Sequence, residues 1–374
     1  MKKIVFLIRS LNVGGAERQL LTLLQTLDRR EFEPVVVSFY SKGTLFSEFI
    51  NNNIPVQSAS KNGRWDIVLF LIRLVKIIRN EKPDIVVSYL VAANLLAVLL
   101  KPILKPGKIV ISIRHSFLRK EDYDWLSALL YAVEDRIARW SDLIILNSFV
   151  GARQAHERGI SKDNMVVIPN GINTIQFHPD VGLRKKKRAK LNIENESIVV
   201  GLVGRLDPVK NHIGFIEAAS LLKDEAPQVR FLIIGDGPEE YRQVLSQNIQ
   251  ESCMEDRFQL IPAEIDPVTI YNAMDICVSS SIGEGFSNVI AEAMACEIPC
   301  VVTDVGDSAR IVGQTGRVVP VGDTRTLAEA ILSLVNMEPG ERQKLGQQAR
   351  EKIISEFSIE KMVVSTMQEF EKLG

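Results

Sequence analysis

Cysteine and histidine are scarce in this chain, with four of each among 374 residues. The cysteines are Cys253, Cys277, Cys296 and Cys300. None falls in a CxxC pair, and no histidine-rich segment accompanies them. This excludes a zinc module and a disulfide scaffold, and reads as reduced core thiols of a cytoplasmic protein. Strong charge of one sign is also missing. The formal net charge is −1, so the chain as a whole carries no signal for nucleic acid. Long apolar runs are absent too. The longest, 86–100, is broken by Ser88 and Asn94 and falls short of the roughly 20 residues that span a bilayer. The opening MKKIVFLIRS has an apolar run of only about five residues, too short for a signal peptide, and reads as a β-strand. No solenoid-length repeat or low-complexity tract is visible.

What is present is alternation. Apolar, β-branched runs at 3–8, 33–39, 84–88, 108–113, 142–147 and 164–169 are separated by helical patterns such as 16–27 and 66–80. The pattern repeats in the second half, with strands at 197–203, 229–234, 257–261, 275–280 and 299–304. Near-continuous apolar strands alternating with helices predict parallel sheets covered on both faces. The chain is also too long for one ordinary core. The expected fold class is α/β, with two doubly wound, Rossmann-like domains at 1–180 and 181–357 and a closing helix at 358–374. The boundary falls in a polar stretch, 170–197, that includes the run RKKKRAK, read as a solvated helix face or as an anion site. Residues 1–180 hold 24 Lys+Arg against 17 Asp+Glu, and residues 181–374 the remaining 21 against 29. A basic half joined to an acidic half points to one domain facing something anionic.

Three turns between strand and helix carry candidate chemistry. In SLNVGGAERQL (10–20), Gly14 and Gly15 allow close backbone approach where a helix N-terminus attracts anions; a plain turn explains the same residues. This is neither GxGxxG nor GxxxxGK[ST], so a nicotinamide fingerprint and a P-loop are both absent. In VGLVGRLDPVKNH (200–212), Arg205 and Lys210 flank a loop at the carboxyl edge of a strand. Arg can bind phosphate oxygens bidentately and Lys acts as a point charge, which suits a diphosphate. GDGP (235–238) is a third such turn, but GDG is not a DxD metal motif.

The stretch EGFSNVIAE (284–292) frames a helix start between two carboxylates. Ser287 or Asn288 serves as N-cap, so the amides near 286–288 point at an anion. Glu292 lies roughly 6 Å further along the helix axis. Carboxylates accept hydrogen bonds from hydroxyls. One ligand then meets all three features: a hydroxylated group at Glu284, a phosphate at the helix start, a second hydroxylated group at Glu292. That ligand is a sugar joined through a diphosphate to a ribose; taken singly, each glutamate reads equally as an ordinary first-turn helix acid that the dipole favours.

With GGAER (14–18), PNGINTIQFHP (169–179), GRLDPVKN (204–211), GDGP and EGFSNVIAEAMACEIPCVVTDVG (284–306), the chain resembles a retaining glycosyltransferase of family 4 with the GT-B fold, over nearly its whole length. The resemblance implies transfer from a nucleotide-sugar, UDP-linked by preference, to a hydroxyl of a glycan or lipid-linked acceptor, as in polysaccharide synthesis. By similarity, Arg205 and Lys210 hold the diphosphate, with Gly15 approaching from the other domain. Glu284 binds the transferred sugar, with backbone contacts from Gly285, Phe286 and Ser287. Glu292 binds the ribose, Ala263 borders the base, and His115 faces the sugar. No metal or other cofactor is implied. The family's Gly-Gly-x-x-Glu is replaced here by DVGDSARIVG (304–313), with Asp307 and Arg310. A sugar-nucleotide epimerase, a phosphorylase and a non-catalytic nucleotide-binding protein are alternatives within this fold class.

The acceptor is expected against the basic first domain. Helix 66–80 is almost wholly apolar apart from Arg73, Lys76 and Arg79, and a cluster from Lys101 to Lys120 follows it. It reads either as a helix buried in the domain or as one resting on an anionic membrane.

Overall fold

The computed structural model describes residues 1–63, 65–104, 107–114, 125–263 and 266–373. They form two compact units, one of Met1–Gly171 with Ile359–Gly374, the other of Ile172–Ser358.

The first unit is built on a seven-stranded parallel sheet with strand order β3-β2-β1-β4-β5-β6-β7. The strands are β1 (Lys2–Ile8), β2 (Phe32–Ser38), β3 (Val56–Ser58), β4 (Ile85–Tyr89), β5 (Lys108–Ile113), β6 (Leu143–Leu146) and β7 (Met165–Val167). Ile4 through Ile8 are wholly inaccessible, as a strand covered on both faces requires. One face packs on helices Gly15–Thr26 and Ile359–Lys372 through Leu20, Leu24, Met362 and Phe370. The other packs on helices Ile67–Glu81, Val91–Leu99 and Trp125–Ala138 through Phe70, Leu74, Ala97 and Ile137.

The second unit has a six-stranded parallel sheet with order β10-β9-β8-β11-β12-β13. Its strands are β8 (Ile198–Val203), β9 (Val229–Ile234), β10 (Phe258–Ile261), β11 (Ile276–Ser279), β12 (Cys300–Thr303) and β13 (Arg317–Val319). The order reverses between β8 and β11, and a doubly wound sheet opens a ligand crevice beyond the strand ends at such a point. The loops leaving these two strands, 204–211 and 280–287, carry Arg205, Lys210 and Glu284.

Two expectations need correction, and two strands went unread. The boundary lies at 171/172 rather than 180/181. Residues 172–180 pack on the second unit because the Ile172 amide donates to the Phe357 carbonyl (2.8 Å) and Arg350 donates to the carbonyls of Thr174 (2.9 Å) and Phe177 (2.8 Å). The edge strands β3 and β13 have no counterpart in the sequence reading, since VQS holds one apolar residue and RVV only two. In RKKKRAK, Lys187 and Arg188 are buried rather than solvated. The Arg188 guanidinium donates to the carbonyls of Ala273, Asn195 and Ser197, and shares Asp275 with Arg184, each pair at 2.6 Å.

Candidate active site

The loop after β8 runs on beside the loop after β9. The Gly204 amide donates to the Ile234 carbonyl and the Leu206 amide to the Asp236 carbonyl, both at 2.9 Å. This approach explains the glycines of GDG. A Cβ on Gly235 would lie 1.8 Å from the Gly204 oxygen, and one on Gly237 2.3 Å from that of Leu206. The Asp236 carboxylate accepts from the Ala263 amide (3.1 Å), which ties the end of β10 to the same edge.

Asp207 organises the loop. One carboxylate oxygen accepts from the Val209 amide (2.9 Å) and caps the short turn Pro208–Lys210; the other accepts from Arg205 Nε (3.1 Å) and Nη2 (2.5 Å). Burial opposes its ionisation, but the amide and Arg205 hold its carboxyl below the usual range. The Arg205 side chain is otherwise free to swing, at 72% exposure. Behind the loop His212 is fully buried, its ring edge-on to Tyr241. Burial, then Lys210, push its pKa down to about 4, so it is neutral near pH 7 and leaves the loop's positive charge to Arg205 and Lys210.

The loop after β11 is stitched to this one. Ser280 Oγ donates to the carbonyls of Lys210 and Asn211 (2.9 Å each), and the Ile282 amide donates to Val209 (2.9 Å). Lys210 Nζ pairs with Glu284 Oε1, and Ser281 Oγ donates to the same oxygen at 2.8 Å. Lys210, Ser280, Ser281, Glu284 and Ser287 line one small pocket. Gly285 and its neighbours are held from below by the DVGDS loop. The Asp307 amide donates to the Gly285 carbonyl (2.9 Å), and Gly306, at φ +54°, sits where a Cβ would lie 2.4 Å from the Glu284 oxygen. Although this loop departs from the family pattern in sequence, its backbone supports the first glutamate.

Phe286 is a core residue packed on Phe357, with ring centroids 5.4 Å apart, so only its backbone is available to a ligand. Ser287 is the N-cap of helix Asn288–Ala295, but its hydroxyl makes no capping hydrogen bond. The first-turn amides therefore lack a side-chain cap, which suits an anion there. Glu292, one turn on, is not among the pocket-lining residues. Its Oε2 accepts from the hydroxyl of Tyr271 at 2.7 Å. Burial, then Glu292, raise Tyr271 well above the usual phenol range, which keeps it a donor. Burial and Glu292 likewise raise Cys296, while Cys277 and Cys300 are register partners on β11 and β12. All four cysteines are free thiols, but Cys253 is exposed, contrary to the expectation of four core residues.

Gly14 and Gly15 lie in the first unit. Gly14 is the extended N-cap of helix Gly15–Thr26, and a Cβ there would meet Glu17 Oε2 at 2.3 Å. Burial raises the Glu17 carboxyl, which folds back over this helix start. Arg114, at the end of β5, donates to Ser112 Oγ and Asn170 Oδ1 (2.9 Å each) and lies 4.8 Å over the Tyr89 ring. His115 lies outside the described residues. Asp207, Tyr271 and Ser281 were missed by sequence reasoning; only Asp207 carries a local signal, as an N-cap type before Pro208.

Two family profiles cover most of the chain: the one described as Glycosyltransferase Family 4 matches residues 13–176, and the one described as Glycosyl transferases group 1 matches residues 197–337. The chain belongs to these glycosyltransferases. It is 28% identical over 312 residues to the capsular polysaccharide biosynthesis glycosyltransferase CapM of Staphylococcus aureus, covering 78% of this chain and 79% of that one. It is 29% identical over 202 residues to the Escherichia coli UDP-Gal:alpha-D-GlcNAc-diphosphoundecaprenol alpha-1,3-galactosyltransferase, covering 53% and 51%. The structure of Anabaena HepE in complex with UDP-glucose matches with a TM-score of 0.87 at 23% identity, covering all of both chains. That likeness shows the fold, the two Rossmann-like domains of GT-B enzymes.

Proposed function

We propose that this glycosyltransferase moves a hexose or N-acetylhexosamine from a UDP-sugar to a hydroxyl of a glycan or lipid-linked acceptor, with retention of anomeric configuration. The observation that carries the reading is Lys210 and Ser281 meeting on Glu284 at the sheet's switch point, beside a helix start without a side-chain cap. The names of CapM and the diphosphoundecaprenol-linked transferase support the acceptor class; HepE, bound to UDP-glucose, supports the donor.

In this reading the donor diphosphate takes Lys210 from Glu284 and Arg205 from Asp207, exchanging carboxylate for phosphate oxygens. Glu284, so released, accepts from hydroxyls of the transferred sugar. The amides of Gly285, Phe286, Ser287 and Asn288 face the phosphates, Glu292 takes the ribose hydroxyls, and Ala263 borders the base. Gly14, Gly15 and His115 are assigned to the donor by resemblance to the family alone. The acceptor oxygen bonds to the anomeric carbon on the face from which the phosphate oxygen departs, and its proton passes to that oxygen. Arg205, Lys210 and the helix amides stabilise the charge on the leaving diphosphate. No enzyme nucleophile is required, and fixed cations take the role a metal has elsewhere. A thermal-shift screen of nucleotide sugars identifies the donor through mass-action stabilisation. Proton NMR of the product then reads the anomeric configuration: an α-linked product from an α-linked donor is expected, and a β-linked one overturns retention. Turnover that persists in chelator is expected; its loss overturns the metal-free step.

Tyr271 bears on this reading because its hydroxyl donates to Glu292, the carboxylate assigned to the ribose. Glu292→Gln should weaken UDP binding about tenfold or more, and Tyr271→Phe about fivefold, since a hydrogen bond to a charged group is lost in each. The two penalties should not add, and both should shrink with 2′-deoxy-UDP. Calorimetric titration checks this; full affinity in Glu292→Gln removes Glu292 from the ribose.

A further inference from the structure

The chain has three tryptophans, and all three are exposed: Trp65 by 88%, Trp125 by 77% and Trp140 by 52%. All belong to the first unit. Trp65 precedes helix Ile67–Glu81, Trp125 opens helix Trp125–Ala138, and Trp140 follows it. These helices, with Val91–Leu99 between them, cover the same face of the sheet through one core cluster.

Each helix is apolar on its outer side as well as its inner one. Phe70, Leu74 and Ile78 face the core, yet Val68, Leu69 and Ile72 are 69%, 62% and 59% exposed. Leu99 and Ile103 continue the patch, and Leu126, Leu129 and Leu130 complete it on the third helix. A surface helix of a water-facing domain carries one apolar stripe; a patch of this extent marks an interaction surface.

The charges indicate what covers it. Lys76, Arg79, Arg136 and Arg139 are exposed and have no carboxylate partner among the described residues. Among the described residues the carboxylates nearby are committed elsewhere: Asp66 to Arg73, Asp135 to Arg158, Asp142 to Lys101. Arg139 lies 5.4 Å over the Trp140 ring. A second copy meeting this face through a two-fold axis would set cations against cations. An anionic lipid surface offers the complementary charge, an apolar layer for the leucines and isoleucines, and the headgroup zone that tryptophan favours. No helix among the described residues is long and apolar enough to cross a membrane.

We infer that the outer face of these three helices is a docking surface for an anionic bilayer, with Trp65, Trp125 and Trp140 at headgroup level and Val68, Leu69 and Ile72 inserted below them. The inference rests on the reading of a lipid-linked acceptor and supplies the surface at which such an acceptor is met.

The tryptophans themselves report the contact. Titration with vesicles of phosphatidylcholine containing about a third phosphatidylglycerol should blue-shift the emission and co-sediment the protein, and vesicles of phosphatidylcholine alone should do neither. Each cation near such a surface is worth roughly fivefold in partitioning, so Lys76→Glu with Arg79→Glu should weaken binding by about 25-fold or more. Leu69→Glu with Ile72→Glu should abolish the shift. Because all four positions are exposed, hydrolysis of UDP-glucose without acceptor should match the parent enzyme in both variants. Absence of vesicle binding, binding independent of phosphatidylglycerol, or unchanged binding by the variants overturns the proposal. So does a concentration-dependent dimer in sedimentation that Leu69→Glu disperses, which would make the face a self-association surface. Vesicle binding with no donor turnover would instead sink the transferase reading and leave the docking surface standing.

Discussion

Lys210→Ala should lower kcat/KM for the donor about a thousandfold while leaving the protein folded. Two effects add. The first is loss of a fixed cation from the leaving diphosphate; removal of one preorganised donor from a developing oxyanion costs about 10²–10³ in rate. The second is Glu284, which loses its cationic partner. The hydroxyl of Ser281 still donates to it, and its side chain is only 12% exposed. An uncompensated carboxylate beside a diphosphate repels the ligand that the site must admit. Lys210→Arg should recover part of the loss through charge, and Glu284→Gln combined with Lys210→Ala should cost less than the sum of the single changes. Arg205→Ala should cost less, about a hundredfold, because among the described residues this exposed side chain pairs with Asp207 alone and its place can be taken by water. Steady-state donor kinetics with each variant decide the matter. If Lys210→Ala and Arg205→Ala both stay within about tenfold of the parent enzyme, the assignment of the diphosphate to this loop is wrong.

The largest effect on stability belongs to a residue far from any ligand. Asp275→Ala should destabilise the second unit by about 3–5 kcal/mol, because it strands two guanidiniums and an amide at once. Asp275 accepts from Arg184 and Arg188 at 2.6 Å each and from the Val199 amide at 2.8 Å. Arg188 is wholly buried, and burial already holds its pKa below the usual value. Removing the carboxylate leaves that charge in the interior facing only carbonyl dipoles. In a unit of this length the melting transition should fall by about 6–20 °C. The affected transition is identified by adding UDP, which raises it by mass action. The pair Arg188→Met with Asp275→Leu should be milder than Asp275→Ala, since an apolar replacement removes both buried charges together. A drop of under about 1 kcal/mol for Asp275→Ala would show that solvent reaches the cluster.

The strands were legible because their signal is local. KIVFLI, IVVGLV and RFLII are apolar on both faces of the pleat, and a strand so composed can lie only between two layers of helices. The glycines of GDG, and the acids of EGFSNVIAE around a helix start, were likewise readable from neighbours in the chain. The edge strands Val56–Ser58 and Arg317–Val319 were not, since VQS holds one apolar residue and RVV two between Gly316 and Pro320, whereas the equally short Met165–Val167 sits in the apolar run MVVI.

Tyr271 and Asp275 went unread because each is defined by a partner distant in sequence, whereas Asp207 and Ser281 pair with near neighbours whose contact depends on how the loops turn. Tyr271 is an apolar helix residue until the fold brings its hydroxyl to Glu292. Asp275 opens a strand until two arginines from Val181–Lys190 close on it, and RKKKRAK reads as a solvated run for the same reason. Three tryptophans scattered between 65 and 140 become a surface only when parallel crossovers set their helices side by side. The sequence by itself determined the two doubly wound sheets and the turns that join their strands to helices, because propensity, period and turn chemistry act over a few residues. The tertiary structure decided which charges are paired, which are buried and which apolar faces stay uncovered, because those depend on distances between elements that chain order does not set.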